Sequence, residues 1–236
     1  MHGFTAAGAL TTVLRPVQER ICCMSHPDSH SDDERRRTLA DELIEAGRFF
    51  FARGWVPATS GNFSARAGDD DVLITVSGRH KGRLGTDDLM HIDLHGRPAR
   101  AGQRSSAETG LHLQLYRRDP AIGAVLHTHS VNATVLSMLA GGALVLRDLE
   151  VLKAFPGIAT HERTVCVPVL ANDQDIARLA ARVAEVLDRD PGCCGYLIAG
   201  HGFYTWGATV ADAVRHVEAF EFLFECESLM RRMGRP

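Results

Sequence analysis

The sequence lacks any long run of apolar residues, and it lacks a linker that would divide it into separate domains. A membrane-spanning helix needs roughly 18 or more consecutive apolar residues, and no stretch of the 236 residues approaches that length. No internal repeat is visible, and no segment rich in Pro, Ser or Gly separates the periodic parts of the chain. A transmembrane protein, a repeat array and a chain of linked domains are therefore not expected.

Cysteine pairs with the spacing of a metal site are also lacking. The six cysteines are two adjacent pairs, Cys22–Cys23 and Cys193–Cys194, and two single residues, Cys166 and Cys226. This pattern matches neither CxxC ligand spacing nor the framework of a secreted disulfide scaffold. We interpret the cysteines as reduced thiols and expect a cytoplasmic protein.

An excess of charge of one sign is lacking as well. The chain has 26 Lys+Arg against 29 Asp+Glu, which gives a formal net charge of −3. A nearly balanced surface gives no electrostatic reason to expect nucleic acid or an anionic membrane as a partner.

Histidine, by contrast, is abundant in a composition that is otherwise ordinary for a globular protein. Hydrophobic residues make up 45% and charged residues 23%, which is enough apolar surface for a packed core. There are 12 histidines. Histidine is the commonest metal ligand, so the positions of these residues matter most.

The apolar spacing predicts one α/β domain with helices covering a sheet. From Glu34 the spacing is helical, until Gly54 and Pro57 end the helix. Strands are predicted at 72–76, 122–129, 164–170 and 196–199, and further helices at 105–119, 131–139, 176–187 and from 209 onward. Residues 1–30 have a polar, aperiodic end and are predicted to be disordered, which leaves 31–236 as the domain.

Two histidines lie at the end of one predicted strand, and a third follows another predicted strand. Side chains alternate along a strand, so His127 and His129 would point to the same face. His201 lies between two glycines at the end of the strand that starts at Tyr196. Three imidazoles suit Zn²⁺ with an open position for a substrate. The alternative is a pair of partly exposed histidines at a strand end, one of which caps the next helix.

Two glutamates are candidates for acid-base work, and each has an ordinary structural alternative. Glu108 is a carboxylate that faces the metal as ligand or base, or it forms a capping box with Ser105. Glu150 is an acid-base residue, or it is a solvated helix residue that pairs with Lys153 three positions later.

Two polar turns are candidates for anion binding. Thr59-Ser-Gly-Asn62 and Ser77-Gly78 supply hydroxyls and flexible backbone amides. The second turn is followed by Arg79, Lys81 and Arg83, which add positive charge. Together they resemble a phosphate cradle. Taken singly, each is also an ordinary turn or a solvated basic loop.

Five segments in order resemble the class II aldolase/adducin family. They are Thr59-Ser-Gly-Asn62, Ser77-Gly78, Ser106-Ala-Glu108, His127-Thr-His129 and Gly200-His-Gly202. The resemblance covers residues 34–232. A dehydratase branch of the family matches further, chiefly in Tyr204-Thr-Trp-Gly207 and in Glu-Ala-Phe-Glu-Phe-Leu-Phe-Glu at 218–225.

The resemblance implies a layered α/β/α catalytic domain that forms a homotetramer with sites near the subunit interfaces. It implies one zinc ion per subunit on His127, His129 and His201, and it makes Glu150 the acid-base residue, with Glu108 close to the metal. It implies that the phosphate of a sugar-phosphate substrate lies near Asn62 and Ser77-Gly78. Together with the polar turns, this makes the candidate substrate- and phosphate-binding residues Thr59, Gly61, Asn62, Ser77, Gly78, Lys81 and Ser106. The dehydratase branch implies loss of water from a ketose 1-phosphate that carries a methylthio group, in methionine salvage.

Other members of the family remain as alternatives at this point. An aldolase that cleaves a sugar phosphate and a pentulose-phosphate 4-epimerase would use the same metal and similar chemistry. An adducin-like interaction module would keep the fold without catalysis. The three histidines argue against that last interpretation, because a scaffold does not require them.

Overall fold

A computed structural model of the chain describes residues 28–234, which form five α-helices and eight strands. The helices are α1 (Asp28–Ala52), α2 (Thr109–Arg118), α3 (Val131–Leu139), α4 (Ile176–Arg189) and α5 (Val210–Arg232). The strands are β1 (Asn62–Gly68), β2 (Asp71–Thr75), β3 (Leu89–Ile92), β4 (Ala124–Thr128), β5 (Ala143–Leu146), β6 (Val165–Leu170), β7 (Gly195–Ile198) and β8 (Gly202–Gly207). The segment predicted to be disordered falls, over residues 1–27, outside the described residues.

The strands form one sheet in the order β3-β2-β1-β4-β8-β7-β6-β5. Neighbouring strands are antiparallel except β6 and β7, which are parallel. The strands β1 and β8 flank β4, so the chain segments that adjoin these three strands meet in the middle of the sheet. That is where the predicted histidines lie.

Helices cover both faces of the sheet, which confirms the predicted α/β/α layering. Strand β4 shows the alternation of side chains between the two faces. Ala124 and Leu126 point to the face packed by α1, α3 and α5, whereas Val125 points to the face packed by α2 and α4. All five residues of β4 are buried, because this central strand has helices on both sides.

The helix starts agree with the sequence in two places and differ in two. Asp175 and Thr209 cap α4 and α5 by accepting from the backbone N–H groups of Arg178 and Asp212, at 3.0 Å each, and α4 begins at the predicted residue 176 and α5 one residue after the predicted 209. The predicted capping box of Ser105 and Glu108 is wrong. Helix α2 begins at Thr109, and the Glu108 side chain makes no cap hydrogen bond. Helix α1 begins at Asp28 rather than at Glu34.

None of the helices within residues 28–234 has the length and apolar character needed to cross a membrane.

Candidate metal centre

The first two histidines come from the end of the central strand β4. His127 lies opposite Tyr204 of β8 and opposite Asn62 of β1 in the two antiparallel pairings. His129 follows the strand, and its backbone N–H donates to the carbonyl oxygen of Trp55 at 2.8 Å. The two imidazole rings have centroids 4.4 Å apart, which confirms that they share one face.

The third histidine lies in the turn between β7 and β8. His201 Nε2 is 3.4 Å from His127 Nε2, and the ligand atoms of the three histidines all lie within 4.8 Å of one another. The close approach of this turn to β4 depends on Gly202. A Cβ atom there would lie 2.1 Å from the carbonyl oxygen of Thr128, so a larger residue would push His201 away from the other two histidines.

The protonation of His127 makes the cluster suitable for a cation. His127 Nδ1 is 2.8 Å from the carbonyl oxygen of Phe203, which only accepts, so Nδ1 carries the proton. Burial lowers the pKa of His127 well below its ordinary value, and the neutral ring presents a lone pair at Nε2. His127 Nε2 lies 3.4 Å from the carboxylate oxygen Oε2 of Glu108. Two acceptors this close repel each other unless a cation lies nearby, and three imidazoles are a donor set that fits Zn²⁺ or a similar ion.

Glu108 faces the histidines rather than the start of its helix. Its Oε1 lies 3.0 Å from His201 Nε2, and its Oε2 accepts from Asn62 Nδ2 at 2.8 Å and from the Tyr204 hydroxyl at 3.1 Å. Burial raises the pKa of Glu108, but its interactions with His201, led by their hydrogen bond, and with Asn62 oppose that effect and hold the pKa below its ordinary value. Of the two interpretations of Glu108 from the sequence, the structure favours the carboxylate at the metal centre.

A cavity of about 300 Å³ opens beside the cluster and is lined by most of the predicted site residues. A backbone bridge between Val76 and Ser105 joins the turn at Ser77-Gly78 to the segment that carries Ser106 and Glu108. The lining residues predicted from sequence are Thr59, Gly61, Asn62, Ser77, Gly78, Lys81, Ser106, Glu108, His129 and His201. A cavity of this size is at the lower end of small-molecule sites.

Two residues hold the first polar turn against the strand that carries the histidines. Gly61 has a positive φ of 79°, and a Cβ there would lie 2.7 Å from the carbonyl oxygen of His127. Lys81 is 2% exposed, and its ammonium donates to the carbonyl oxygens of Thr59 at 2.9 Å and Arg79 at 2.7 Å. Burial lowers the pKa of Lys81 to about 8. The third N–H of its ammonium has no carboxylate partner among residues 28–234, so this cation suits an anionic ligand.

Glu150 is not brought to the cluster within one subunit. It begins the short 3-10 helix Glu150–Ala154, and its side chain is 70% exposed. It pairs with Lys153 at 2.5 Å and lies 3.7 Å from His161 Nδ1. The alternative stated from the sequence, a pair with Lys153, is confirmed as a contact, and Glu150 does not line the cavity. Its role in acid-base chemistry stays a prediction.

The sequence did not indicate two other residues of the centre. Tyr204 stacks on His127 with ring centroids 3.9 Å apart, and its hydroxyl reaches Glu108. Its place in Tyr204-Thr-Trp-Gly207 carried part of the family resemblance but did not indicate a contact with Glu108. His112 lies on α2 and contacts Asn62. Its one signal in the sequence is the four-residue spacing from Glu108, which places the two near each other on a helical path.

A fold of this architecture with three clustered histidines and a partly buried glutamate defines a candidate metal-dependent enzyme. Residues 41–228 match the family described as Class II Aldolase and Adducin N-terminal domain. This chain belongs to that family, as the resemblance predicted.

Relatives of known name lie in the same family. The chain is 59% identical over 204 residues to methylthioribulose-1-phosphate dehydratase of Pseudomonas paraeruginosa, which covers 86% of this chain and 100% of the relative. It is 58% identical over 199 residues to the protein of the same name from Azotobacter vinelandii, covering 84% and 97%. Among solved structures, L-fuculose-1-phosphate aldolase from Thermus thermophilus has a TM-score of 0.68 at 30% identity, covering 85% of this chain and 98% of that one.

Proposed function

We propose that this chain is a zinc-dependent hydro-lyase of methionine salvage that removes water from 5-methylthioribulose 1-phosphate and yields 5-methylthio-2,3-dioxopentyl phosphate. The observation that carries the proposal is the 58–59% identity to dehydratases of that substrate over almost their whole length. The clustered histidines, the partly buried carboxylate of Glu108 and the cavity with the buried cation of Lys81 supply the groups that such a reaction needs.

We assign one zinc ion per subunit to His127, His129 and His201. A zinc ion held there would supply a Lewis acid for the oxygens of the substrate. The histidines themselves are prepared for this role, since burial keeps His127 neutral and lowers the pKa of His129 to about 4.

Glu108 is assigned to the proton on C3 of the substrate. The bond pair of C3–H forms a double bond between C2 and C3, the π pair of the C2 carbonyl moves onto its oxygen, and the proton goes to the carboxylate. The C2 carbonyl then re-forms, the double bond moves to C3–C4, and the C4–O bond breaks so that the hydroxyl leaves with a proton as water. The remaining enol takes a proton at C4 and loses the proton of its C3 hydroxyl, which gives the 2,3-diketone. Asn62 and Tyr204 donate to Glu108 and orient its ionised carboxylate, which is the form that can accept a proton.

The phosphate is assigned to the end of the cavity formed by Ser77, Gly78 and Lys81. The Lys81 ammonium has a free N–H and no anionic partner in the described part of the chain, and the Ser77-Gly78 turn lies beside it. Binding there fixes one end of the substrate and orients C3 toward Glu108, so that the reacting atoms stay aligned.

Replacing Lys81 by Met is expected to raise KM for the phosphorylated substrate by about 10- to 100-fold, because a hydrogen bond to a charged group contributes about 1.5–3 kcal/mol. The value of kcat should change much less, since Lys81 does not touch the reacting carbons. Steady-state kinetics at pH 7 would measure both. Arg189→Met, at an exposed position on α4, is the matched control. An unchanged KM for Lys81→Met would contradict the assignment.

We propose that the subunits form a homotetramer in which a second copy covers an apolar face of α3. Val131 and Met138 on that helix are 74% and 72% exposed, and Leu139 is exposed beside them. Helix α3 begins two residues after His129, so an interface there would lie next to the metal centre. In that arrangement Glu150 would serve a neighbouring subunit's site, as the acid that protonates the hydroxyl leaving C4.

Hybrid tetramers would test the placement of Glu150. Glu108→Gln and Glu150→Gln are each expected to be nearly inactive alone. If Glu150 acts on a neighbour, unfolding and refolding the two variants together leaves about a quarter of the sites with both glutamates, and activity returns to that fraction. If activity does not return although mixed tetramers form, Glu150 acts within its own subunit or not at all.

We place the reaction in the cytoplasm, with a small sugar phosphate as the partner and neither nucleic acid nor membrane involved. The four described cysteines, Cys166, Cys193, Cys194 and Cys226, are free thiols. Free thiols are typical of a reducing compartment.

Product identification distinguishes this function from those of other family members. The zinc-loaded protein would be incubated separately with 5-methylthioribulose 1-phosphate, L-fuculose 1-phosphate and L-ribulose 5-phosphate, and the products analysed by mass. The expected result is loss of one water from the first and no reaction of the others. Two carbonyl fragments, or an isomer of unchanged mass, would instead assign the chain to the aldolases or epimerases.

A further inference from the structure

A line of buried polar groups runs from Glu108 into the core beneath α2. Asn62 Nδ2 lies 2.8 Å from Glu108 Oε2, and Asn62 Oδ1 is in short contact with His112 Nε2. His112 Nδ1 lies 2.7 Å from Ser64 Oγ, which lies 2.8 Å from the Tyr116 hydroxyl. The four residues inside the line are at most 4% exposed. Four consecutive contacts thus link a core tyrosine to the carboxylate.

The chemistry of the groups gives each contact one direction. An ionised carboxylate only accepts, so the NH₂ group of Asn62 faces Glu108 and its carbonyl oxygen faces His112. His112 must therefore carry its proton on Nε2. Burial lowers the pKa of His112 to about 3, so the ring is neutral and Nδ1 accepts from the Ser64 hydroxyl. The Ser64 oxygen then accepts from Tyr116.

We infer that His112 is a positioning residue, which fixes the orientation of the Asn62 amide and through it the carboxylate of Glu108. The side-chain amide of Asn62 is nearly symmetric in shape, but its oxygen accepts and its nitrogen donates hydrogen bonds. A 180° turn of the amide would place Oδ1 against the Glu108 carboxylate. The N–H of His112 opposes that turn because it needs an acceptor. Glu108 Oε2 is thereby held by its donors, and Oε1 stays directed at His201.

His112 acts only through its neighbours. It is 0% exposed and does not line the cavity, and its ring contacts Tyr204 edge-on at 5.6 Å. The inference rests on the proposed function in one respect, since it assumes that Glu108 transfers the proton. Asn62 itself lines the cavity. The contact with His112 therefore also determines which side of the Asn62 amide faces a bound substrate.

Substitutions at His112 give the first test. His112→Leu removes the donor and is expected to lower kcat by about 10- to 100-fold, with KM changed much less and zinc content unchanged. His112→Gln places an amide N–H near the position of Nε2 and should restore kcat to within about fivefold of the wild type. His216→Leu removes another buried imidazole, one that contacts the Trp206 carbonyl at 2.7 Å. This control should keep kcat within about twofold even if it lowers Tm similarly.

A double-mutant cycle separates positioning from a general structural effect. In the Asn62→Ala background, adding His112→Leu should change kcat by less than about twofold, because the amide that His112 orients is gone. An equal loss in both backgrounds would overturn the inference, and so would a wild-type kcat for His112→Leu alone.

Nitrogen NMR of the wild-type protein tests the inference with a readout that does not depend on enzyme activity. The protein would be labelled with ¹⁵N-histidine, and the resonances of His112 would be assigned as those missing from the spectrum of His112→Gln. The His112 ring is expected to be the neutral tautomer with the proton on Nε2. The resonance of Nδ1 should shift in Ser64→Ala. An Nδ1–H tautomer would overturn the inference. If the wild type does not turn over the proposed substrate, the proposed function fails instead, while this readout still stands.

Discussion

Replacing Glu108 by Gln is expected to lower kcat by about a thousandfold while the protein keeps its metal and its fold. The glutamine keeps the shape of the side chain, and its carbonyl oxygen still accepts from Asn62 and Tyr204. It cannot take up the proton from C3, and loss of a positioned acid-base group costs about 100- to 10,000-fold. Because the histidines and the cavity stay in place, KM should change by less than about tenfold.

Steady-state kinetics and zinc analysis of the same preparation would measure this effect. Glu185→Gln, at an exposed position on α4, is the matched control and should behave as the wild type. A Glu108→Gln variant that keeps more than about a tenth of wild-type kcat would leave Glu108 as a mere hydrogen-bond acceptor. Loss of zinc with loss of activity would instead make Glu108 a ligand of the metal.

Replacing His201 by Ala is expected to abolish both metal binding and turnover. His201 is the one member of the cluster that comes from the turn between β7 and β8, and without it His127 and His129 are too few to hold a zinc ion tightly. Zinc per subunit should fall from about one to below about one tenth, and kcat/KM by at least about a thousandfold.

Thermal unfolding gives a second measure of the same change. A ligand that binds only the folded state raises Tm, so added zinc should raise Tm of the metal-free wild type and leave that of His201→Ala unchanged. His95→Ala, in an exposed turn of the described chain, is the control and should respond as the wild type. Retention of stoichiometric zinc by His201→Ala would contradict the assignment of the ligands.

The local part of the site could be predicted from the sequence. Alternation along a strand was enough to put His127 and His129 on one face, and glycines on both sides of His201 indicated a close approach of the chain. The polar turns at Thr59–Asn62 and Ser77-Gly78 were predicted to belong to the site from their residue types alone, and both line the cavity. Their binding of an anion stays a prediction.

The parts that depend on long-range packing could not be predicted. Whether Glu108 caps α2 or faces the metal depends on the pairing of β1 with β4, which brings Asn62 to the carboxylate. The contact between Asn62 and His112 spans 50 positions of the chain, and no local pattern carries it. The family resemblance made Glu150 the acid-base residue, yet the fold of one subunit leaves its side chain on the surface.

The most direct measurement of the central claim is the mass of the product formed by metal-free and metal-restored protein. The protein would be treated with a chelator, dialysed, and divided into samples with and without one equivalent of zinc before 5-methylthioribulose 1-phosphate is added. If the chain is a zinc-dependent dehydratase, the substrate should lose one water only in the sample with zinc. Water loss that persists in the metal-free sample, or a zinc-loaded sample that leaves the substrate unchanged, would contradict it.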